Sequence, residues 1–429
     1  MPIACGPGRA TAISVANVLY ITYDGLTDPL GRSQVLPYLQ GCAAKGHRIT
    51  ILSCEKPDRF VSGRATVEEL CRKSSIDWLP LRYHKSPPVI STIYDARMLT
   101  RAAARFHKER GFDLVHCRGY ISAIAGLRLK RRQGVPLLFD MRGFWPEEKT
   151  EGGAWDLRNP LYRAVYRYFK HLESDLLRES DHIVTLTRAG KRQLLSRPEC
   201  KDQADHISVI PCCVDFDHFP MADSLRSSAR AKLGIDRDAR VLAYLGSIGT
   251  WYMLDEMLGF FRVYSAESSN TRFLFITMDS ADAVRNSAAR HGIGTESILV
   301  TSASRDQVPQ LLAAADTGIS FIKPVFSKTA SSPTKLGEML AMGIPVITNG
   351  GVGDVAEVVA SCQGGAIVQS FEETGYAAAI EEAQKVTSTA EEIRSAAATI
   401  FDLQTGVSAY DSIYAAIVAN EVGTRPGVS

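Results

Sequence analysis

The chain has 429 residues, 45% of them apolar and 22% charged, and a net formal charge of +2. It is too long for one ordinary domain and too apolar to stay disordered, so two cores of about 200 residues are expected. No apolar run reaches the roughly 18 residues that span a bilayer. The nine cysteines have no metal-binding spacing, which excludes a zinc knuckle and points to a reducing, cytoplasmic setting.

The small net charge conceals an asymmetry. Residues 1–215 hold 33 Lys and Arg against 23 Asp and Glu, a net of +10, and the remainder hold 16 against 24, a net of −8. An anionic partner is expected to meet the first half.

Residues 1–16 lack the continuous apolar core of a signal peptide and read as a flexible leader. A buried strand over 17–23 runs into Asp24-Gly25-Leu26-Thr27-Asp28-Pro29-Leu30-Gly31-Arg32-Ser33. Ser33 can cap a helix over 34–45, and 48–53 is the next strand. This βαβ unit puts the loop containing Gly31 at the carboxyl end of a strand, where open α/β sheets bind ligands. Helical stretches around 67–73 and 93–110 follow. A strand from 113 then carries His116 and Arg118 at its end, and after a helix over 121–133 another ends at Arg142, just before Glu147. His116 fits a satisfied strand-end histidine as well as a functional one.

Residues 158–178 form an amphipathic helix with Leu161, Val165, Tyr168, Phe169, Leu172 and Leu176 in one stripe. Core packing competes there with a membrane-interface role. With the basic cluster Arg128, Lys130, Arg131 and Arg132, this helix favours an anionic bilayer surface as partner. A strand over 182–186, a helix over 189–196 and Ile207–Pro211 complete the first half at Cys212-Cys213-Val214-Asp215. Asp215-x-Asp217 imitates a metal-binding DxD, but its place at a domain junction argues against that role.

The second βα series opens at 240–252 with Gly246-Ser247-Ile248-Gly249-Thr250 after its first strand. Strands over 272–277 and 298–301 follow, then Ser331-Ser332-Pro333-Thr334-Lys335-Leu336-Gly337-Glu338. Ser332 and Thr334 are capping types and Pro333 suits a first turn. A helix start is an anion site, and Lys335 adds a full charge where a lysine is unfavourable for the helix itself. Glu338, one turn on, can accept hydrogen bonds from hydroxyls. A phosphate beside a polyol describes a nucleotide sugar. A final helix over 409–419 follows a break at Gln404-Thr405-Gly406.

The run Ser332-Pro333-Thr334-Lys335-x-Gly337-Glu338-x-Leu340-Ala341-x-Gly343-Ile344-Pro345-Val346-Ile347 continues into Gly350-Gly351-x-Gly353-Asp354-x-x-Glu357-Val358-Val359. It resembles the donor-binding segment of the GT4-type retaining glycosyltransferases of group 1, and the likeness extends over about 17–420. The resemblance implies an α/β GT-B fold: two Rossmann-like, doubly wound parallel-sheet domains facing across a cleft. The domains would be 17–215 for the acceptor and 216–405 for the nucleotide sugar, with 406–429 crossing back.

It further implies donor contacts from Gly31, Gly246, Ser247, Arg305, Val308, Ser332, Thr334, Lys335 and Glu338, and catalytic or acceptor contacts from His116, Arg118, Arg142 and Glu147. Three departures are visible. Arg118 stands where relatives often have histidine, Ser247 where many have arginine, and Ala330 where they have glutamate. A further one, Cys212-Cys213, replaces the usual Asn-Gly at the domain boundary.

The expected activity is metal-independent transfer, with retention, from a nucleotide sugar to a lipid-linked or oligosaccharide acceptor in surface polysaccharide biosynthesis. UDP-sugar is the first candidate donor and GDP-sugar the next. No separate cofactor, metal or nucleic-acid partner is expected, and the location is the cytoplasm, peripheral on the inner membrane face. A nucleotide-sugar 2-epimerase-like isomerase and a catalytically silent binding subunit are the alternatives.

Overall fold

The computed structural model describes residues 15–424; most of the expected leader and the end of the tail lie outside the described residues. Ala16, inside that expected leader, is buried and donates its N–H to His47 Nδ1 at 3.1 Å. The ladder to the next strand already begins there, with Arg48 N–H on the Ala16 carbonyl at 2.9 Å.

Thirteen strands form two parallel sheets among the described residues. The first contains β1 (Asn17–Thr22), β2 (Arg48–Glu55), β3 (Asp77–Arg82), β4 (Leu114–Arg118), β5 (Leu137–Asp140), β6 (His182–Thr185) and β7 (Ile207–Val209), in the order 3-2-1-4-5-6-7. The second contains β8 (Arg240–Leu245), β9 (Thr271–Ile276), β10 (Ile298–Thr301), β11 (Thr317–Ser320), β12 (Val346–Asn349) and β13 (Gly365–Val368), in the order 10-9-8-11-12-13. The central strands are buried on both faces, which is why they read as unbroken apolar runs. The order reverses between β1 and β4 and again between β8 and β11. Each reversal opens a crevice at the carboxyl edge.

Several helices differ from the sequence-based expectation. The helix expected over 34–45 begins earlier and is interrupted at Val35, giving Pro29–Gln34 and Leu36–Ala44. Ser33 therefore lies inside a helix and caps none. Pro37 lacks the N–H that would continue the first helix into the second. The aromatic, basic helix spans Pro160–Glu179, and only part of its stripe enters the core: Phe169, Leu172 and Leu176 are buried, while Leu161 and Tyr168 are exposed. Two members of the basic cluster are neutralised internally, Lys130 by Asp181 and Arg131 by Asp175 and Glu179. Asp215 Oδ1 accepts the backbone N–H of Asp217 at 3.0 Å and of His218 at 3.3 Å, so it closes a turn.

The chain crosses between domains twice at one place. Val214 N–H donates to the Phe401 carbonyl at 2.7 Å, and Leu403 N–H donates to the Val214 carbonyl at 3.0 Å. From there the helix Leu403–Thr424 returns to the first domain, burying Tyr410 and Tyr414 against the β1 and β5 side chains. Gln404-Thr405-Gly406 is thus inside a helix. A Cβ on Gly406 would stand 2.8 Å from Cys213 Sγ and from the Tyr38 ring, so that glycine serves close packing. Among the described residues no helix is long and apolar enough to cross a membrane.

Candidate active site

At the second reversal the chain leaves β8 through Gly246, whose φ of +122° a side chain would strain. A Cβ there would stand 2.8 Å from Lys335 Nζ. Lys335 is the second residue of the helix Thr334–Ala341 and is buried. Its Nζ donates to Tyr244 Oη at 3.0 Å and sits 3.4 Å from the centre of the Tyr252 ring. Tyr244 in turn donates to the Ser247 carbonyl, so Ser247 enters the group through its backbone. Asp279 accepts the Ile248 N–H at 2.6 Å and pins the same loop to the end of β9.

No carboxylate pairs with Lys335 among the described residues. Burial pushes its pKa down to about 7, with the more distant Glu338 opposing the shift. The helix start is also open. Pro333 occupies the N-cap position and no side chain caps it. Ser332, expected as a cap, instead accepts the Cys212 N–H across the domain junction at 3.1 Å. Thr334 is the first helical residue and caps nothing either. The Leu336 N–H turns back on the Pro333 carbonyl at 3.1 Å, while the Thr334 and Lys335 N–H groups have no partner among the described residues. Two free amides beside a lysine without a carboxylate make an anion-binding arrangement.

Glu338, one turn along, is buried and accepts from Arg305 Nη1 at 3.0 Å. Burial raises its pKa, while Arg305, His218 and Lys335 pull against that rise. Arg305 is held over the Phe219 ring at 5.4 Å. Val308 begins the helix Val308–Leu312 and packs half-buried on the second core.

In the first domain the polar residues gather around Asp140. Its Oδ2 lies 3.7 Å from His116 Nε2 and 3.8 Å from Arg118 Nη1, and its Oδ1 lies 3.6 Å from Arg142 Nη1. Burial raises the Asp140 pKa, but Arg142, His116 and Arg118 together hold it below the usual carboxylate range. His116 donates to or accepts from Tyr414 Oη through Nδ1 at 2.7 Å, on the returning helix. Burial, with Arg118 and Arg142, lowers the His116 pKa against the pull of Asp140. His116 Nε2, Arg118 Nε, Asp140 Oδ1 and Arg142 Nε have no hydrogen-bond partner among the described residues. Four such buried atoms gathered at one sheet edge are unusual in a folded core.

The two halves meet through Cys212. Arg142 Nη2 points at its Sγ at 3.3 Å, and its N–H is the one held by Ser332. Glu147 stands apart from this group. Its Oε1 pairs with Lys170 at 2.8 Å and accepts from Tyr166 Oη at 3.1 Å. From the same helix, Trp145–Glu151, it is Glu148 and Glu151 that reach the second domain, on Lys328 at 3.3 Å and the Ser327 N–H at 3.0 Å.

Gly31 lets the 29–34 helix approach the preceding loop, since a Cβ would stand 2.2 Å from the Gly25 carbonyl. The Leu26 and Thr27 amides of that loop are already bonded to Glu55, at 2.8 and 3.1 Å. They are not open to a diphosphate. Sequence reading missed Tyr244, Asp140 and the returning tyrosines, which sit within strands or a helix, and Tyr252, in the loop after β8.

Residues 34–218 match the family described as Glycosyltransferase Family 4, and residues 226–399 match Glycosyl transferases group 1. A D-inositol 3-phosphate glycosyltransferase of Streptomyces scabiei is 24% identical over 63% of this chain, and the match covers 60% of that relative. Sucrose-phosphate synthase from Thermosynechococcus elongatus has a similar fold, with a TM-score of 0.72 at 14% identity over 94% of this chain and 100% of that one. Anabaena HepE in complex with UDP-glucose gives 0.65 at 15% identity over 95% and 100%.

Proposed function

The chain belongs to the GT4-type glycosyltransferases of group 1 and has their GT-B fold, and on that premise we propose that it transfers a sugar, with retention, from a nucleotide-diphosphate sugar to a glycan acceptor. The observation that carries this reading is Lys335. It is a buried amine between two tyrosine rings, without a carboxylate among the described residues, at an uncapped helix start.

The second domain holds the nucleotide. Lys335 and the first-turn amides receive the diphosphate, and Glu338 accepts from the ribose. UDP-sugar is the first donor to test, supported by the UDP-glucose complex of the Anabaena neighbour, and GDP-sugar the second. Fixed positive charge stabilises the leaving diphosphate as it develops, so transfer proceeds without a metal ion. The acceptor hydroxyl attacks from the face the diphosphate leaves.

The first domain holds the acceptor against His116, Arg118, Asp140 and Arg142. The acceptor class is a lipid-linked glycan in surface polysaccharide biosynthesis, met at the cytoplasmic membrane face, where the basic first half favours an anionic partner.

The test is a thermal-shift and donor-hydrolysis screen of UDP-, GDP- and dTDP-sugars with and without EDTA, beside Lys335→Ala and Glu338→Ala. Stabilisation by one nucleotide, insensitive to EDTA and lost in both variants, supports the reading. Binding that survives both substitutions or requires a divalent metal overturns the donor site. Nucleotide binding without turnover or transfer favours a silent subunit. The anomeric configuration of the product decides retention.

A further inference from the structure

A cavity of about 680 Å³ lies in the first domain between the starts of the helices Ile90–Arg110 and Pro160–Glu179. None of the residues placed above at the donor or acceptor groups lines it. Its wall is aromatic: Trp145 meets Trp155 edge-on at 5.1 Å, and Trp155 stacks on Phe169 at 5.7 Å.

The mouth is apolar as well. Of eleven large apolar side chains exposed on the described residues, six are Ile90, Ile93, Tyr94, Leu157, Leu161 and Tyr168, in the two segments that border this cavity. That concentration marks a binding face rather than scattered surface residues.

Around the same cavity stand Lys85, Arg97, Arg128 and Lys149. None of the four pairs with a carboxylate among the described residues. Arg128 donates only to Thr100 Oγ1, at 3.3 Å, while the neighbouring Lys130 and Arg131 are both ion-paired. An apolar hollow ringed by uncompensated cations matches an amphiphile with an apolar chain and an anionic head. The cavity also reaches the ligand edge. Tyr23, just past the end of β1, lines it, and the next residue, Asp24, faces Arg118 Nε at 3.5 Å.

We infer that this cavity seats the apolar chain of the acceptor, a long-chain lipid phosphate or diphosphate, with its phosphate among Lys85, Arg97, Arg128 and Lys149 and its glycan directed past Tyr23 to the cleft. The inference rests on the lipid-linked acceptor reading above and gives that lipid a seat. The occupant is a single acceptor lipid, held in a hollow; general contact with a bilayer is a separate outcome of the test.

Farnesyl phosphate is a short-chain probe of this chemistry. It is titrated into the full chain and followed by tryptophan emission, because two of the four tryptophans form the cavity wall. The expected result is saturable one-to-one binding. Affinity falls at least about tenfold for farnesol or inorganic phosphate, for Ala164→Phe, which fills the mouth from an exposed position, and for the Arg97→Glu/Arg128→Glu pair.

Unchanged affinity in Ala164→Phe, with a wild-type melting curve, overturns the inference. So does equal binding of inorganic phosphate, or binding to phosphatidylglycerol vesicles without saturable binding of farnesyl phosphate. UDP binding on the same preparations separates the two readings. UDP bound without farnesyl phosphate removes the lipid seat alone, and farnesyl phosphate bound without any nucleotide supports the seat while removing the transferase.

Discussion

Gly246 and Lys335 are so close that a single added methyl group on the glycine would stand 2.8 Å from the lysine ammonium. The contact joins the end of β8 to the start of the 334–341 helix and gives the buried ammonium its position between Tyr244 and Tyr252. Gly246→Ala strains a φ of +122° and pushes the ammonium aside. Because the lysine tip can move, the fold survives, with a stability loss of about 1–2 kcal/mol. Nucleotide affinity, read by calorimetry, falls by about tenfold or more.

On the proposed donor reading, the same lysine makes donor binding pH-dependent. Burial holds its pKa at about 7, below the ordinary lysine value, and a bound diphosphate favours the charged form. Affinity is therefore full below pH 7 and falls as pH rises through it, with proton uptake on binding. Folding linkage has the opposite sense. The unfolded chain binds this proton up to the ordinary lysine pKa, so this group's contribution to apo stability rises with pH from about 7 upward. Lys335→Met should flatten both profiles, as followed by calorimetry and urea unfolding across pH 6–9.

Arg305→Met leaves the buried Glu338 carboxylate without its partner at 3.0 Å. The cost is about 2–3 kcal/mol at pH 8. Glu338 already has a raised pKa, and removing Arg305 raises it further. The burden therefore appears as pH climbs above the unfolded carboxyl value and shrinks toward pH 5. Urea unfolding at the two pH values checks the narrowing.

Asp354 accepts the N–H groups of Arg188 and Ala189, at 2.5 and 2.8 Å, at the start of the helix Arg188–Leu195 in the opposite domain. It serves as a capping carboxylate supplied across the cleft. Asp354→Ala removes about 1 kcal/mol of capping from the closed arrangement. Small-angle scattering should show a larger radius of gyration without nucleotide, and an unchanged radius would rule out this latch.

Gly406→Ala puts intrinsic propensity against packing. Alanine gains about 1 kcal/mol in a helix interior. Overpacking against Cys213 and Tyr38, both 2.8 Å from the new Cβ, costs about 1–3 kcal/mol. Net destabilisation is expected in urea unfolding, and a more stable variant would mean the 403–424 helix can shift.

The sheets were legible because parallel strands buried on both faces leave unbroken apolar runs, as in 17–22 and 240–245. The cationic helix start was legible because a lysine there conflicts with the helix and needs an external reason. Helix phase was not. Which of Glu147, Glu148 and Glu151 faces the cleft depends on how Trp145 packs against Tyr120 and Phe169. Local spacing carries no record of that packing. Gly406 misled for a related reason, since a glycine that ends a helix and one that lets two segments touch look the same in sequence.

By itself, then, the sequence determined most of the strands and a cationic helix start, because these follow from periodicity and local charge. Length and the family resemblance supplied the two α/β domains, and β3 and β13 went unread. Only the tertiary structure decided that Lys335 has no counterion among the described residues, that Asp140 gathers His116, Arg118 and Arg142, and that Cys212 links the halves. Those relations join residues far apart in the chain, and burial, which sets their charge states, exists only once both domains are folded and closed on each other.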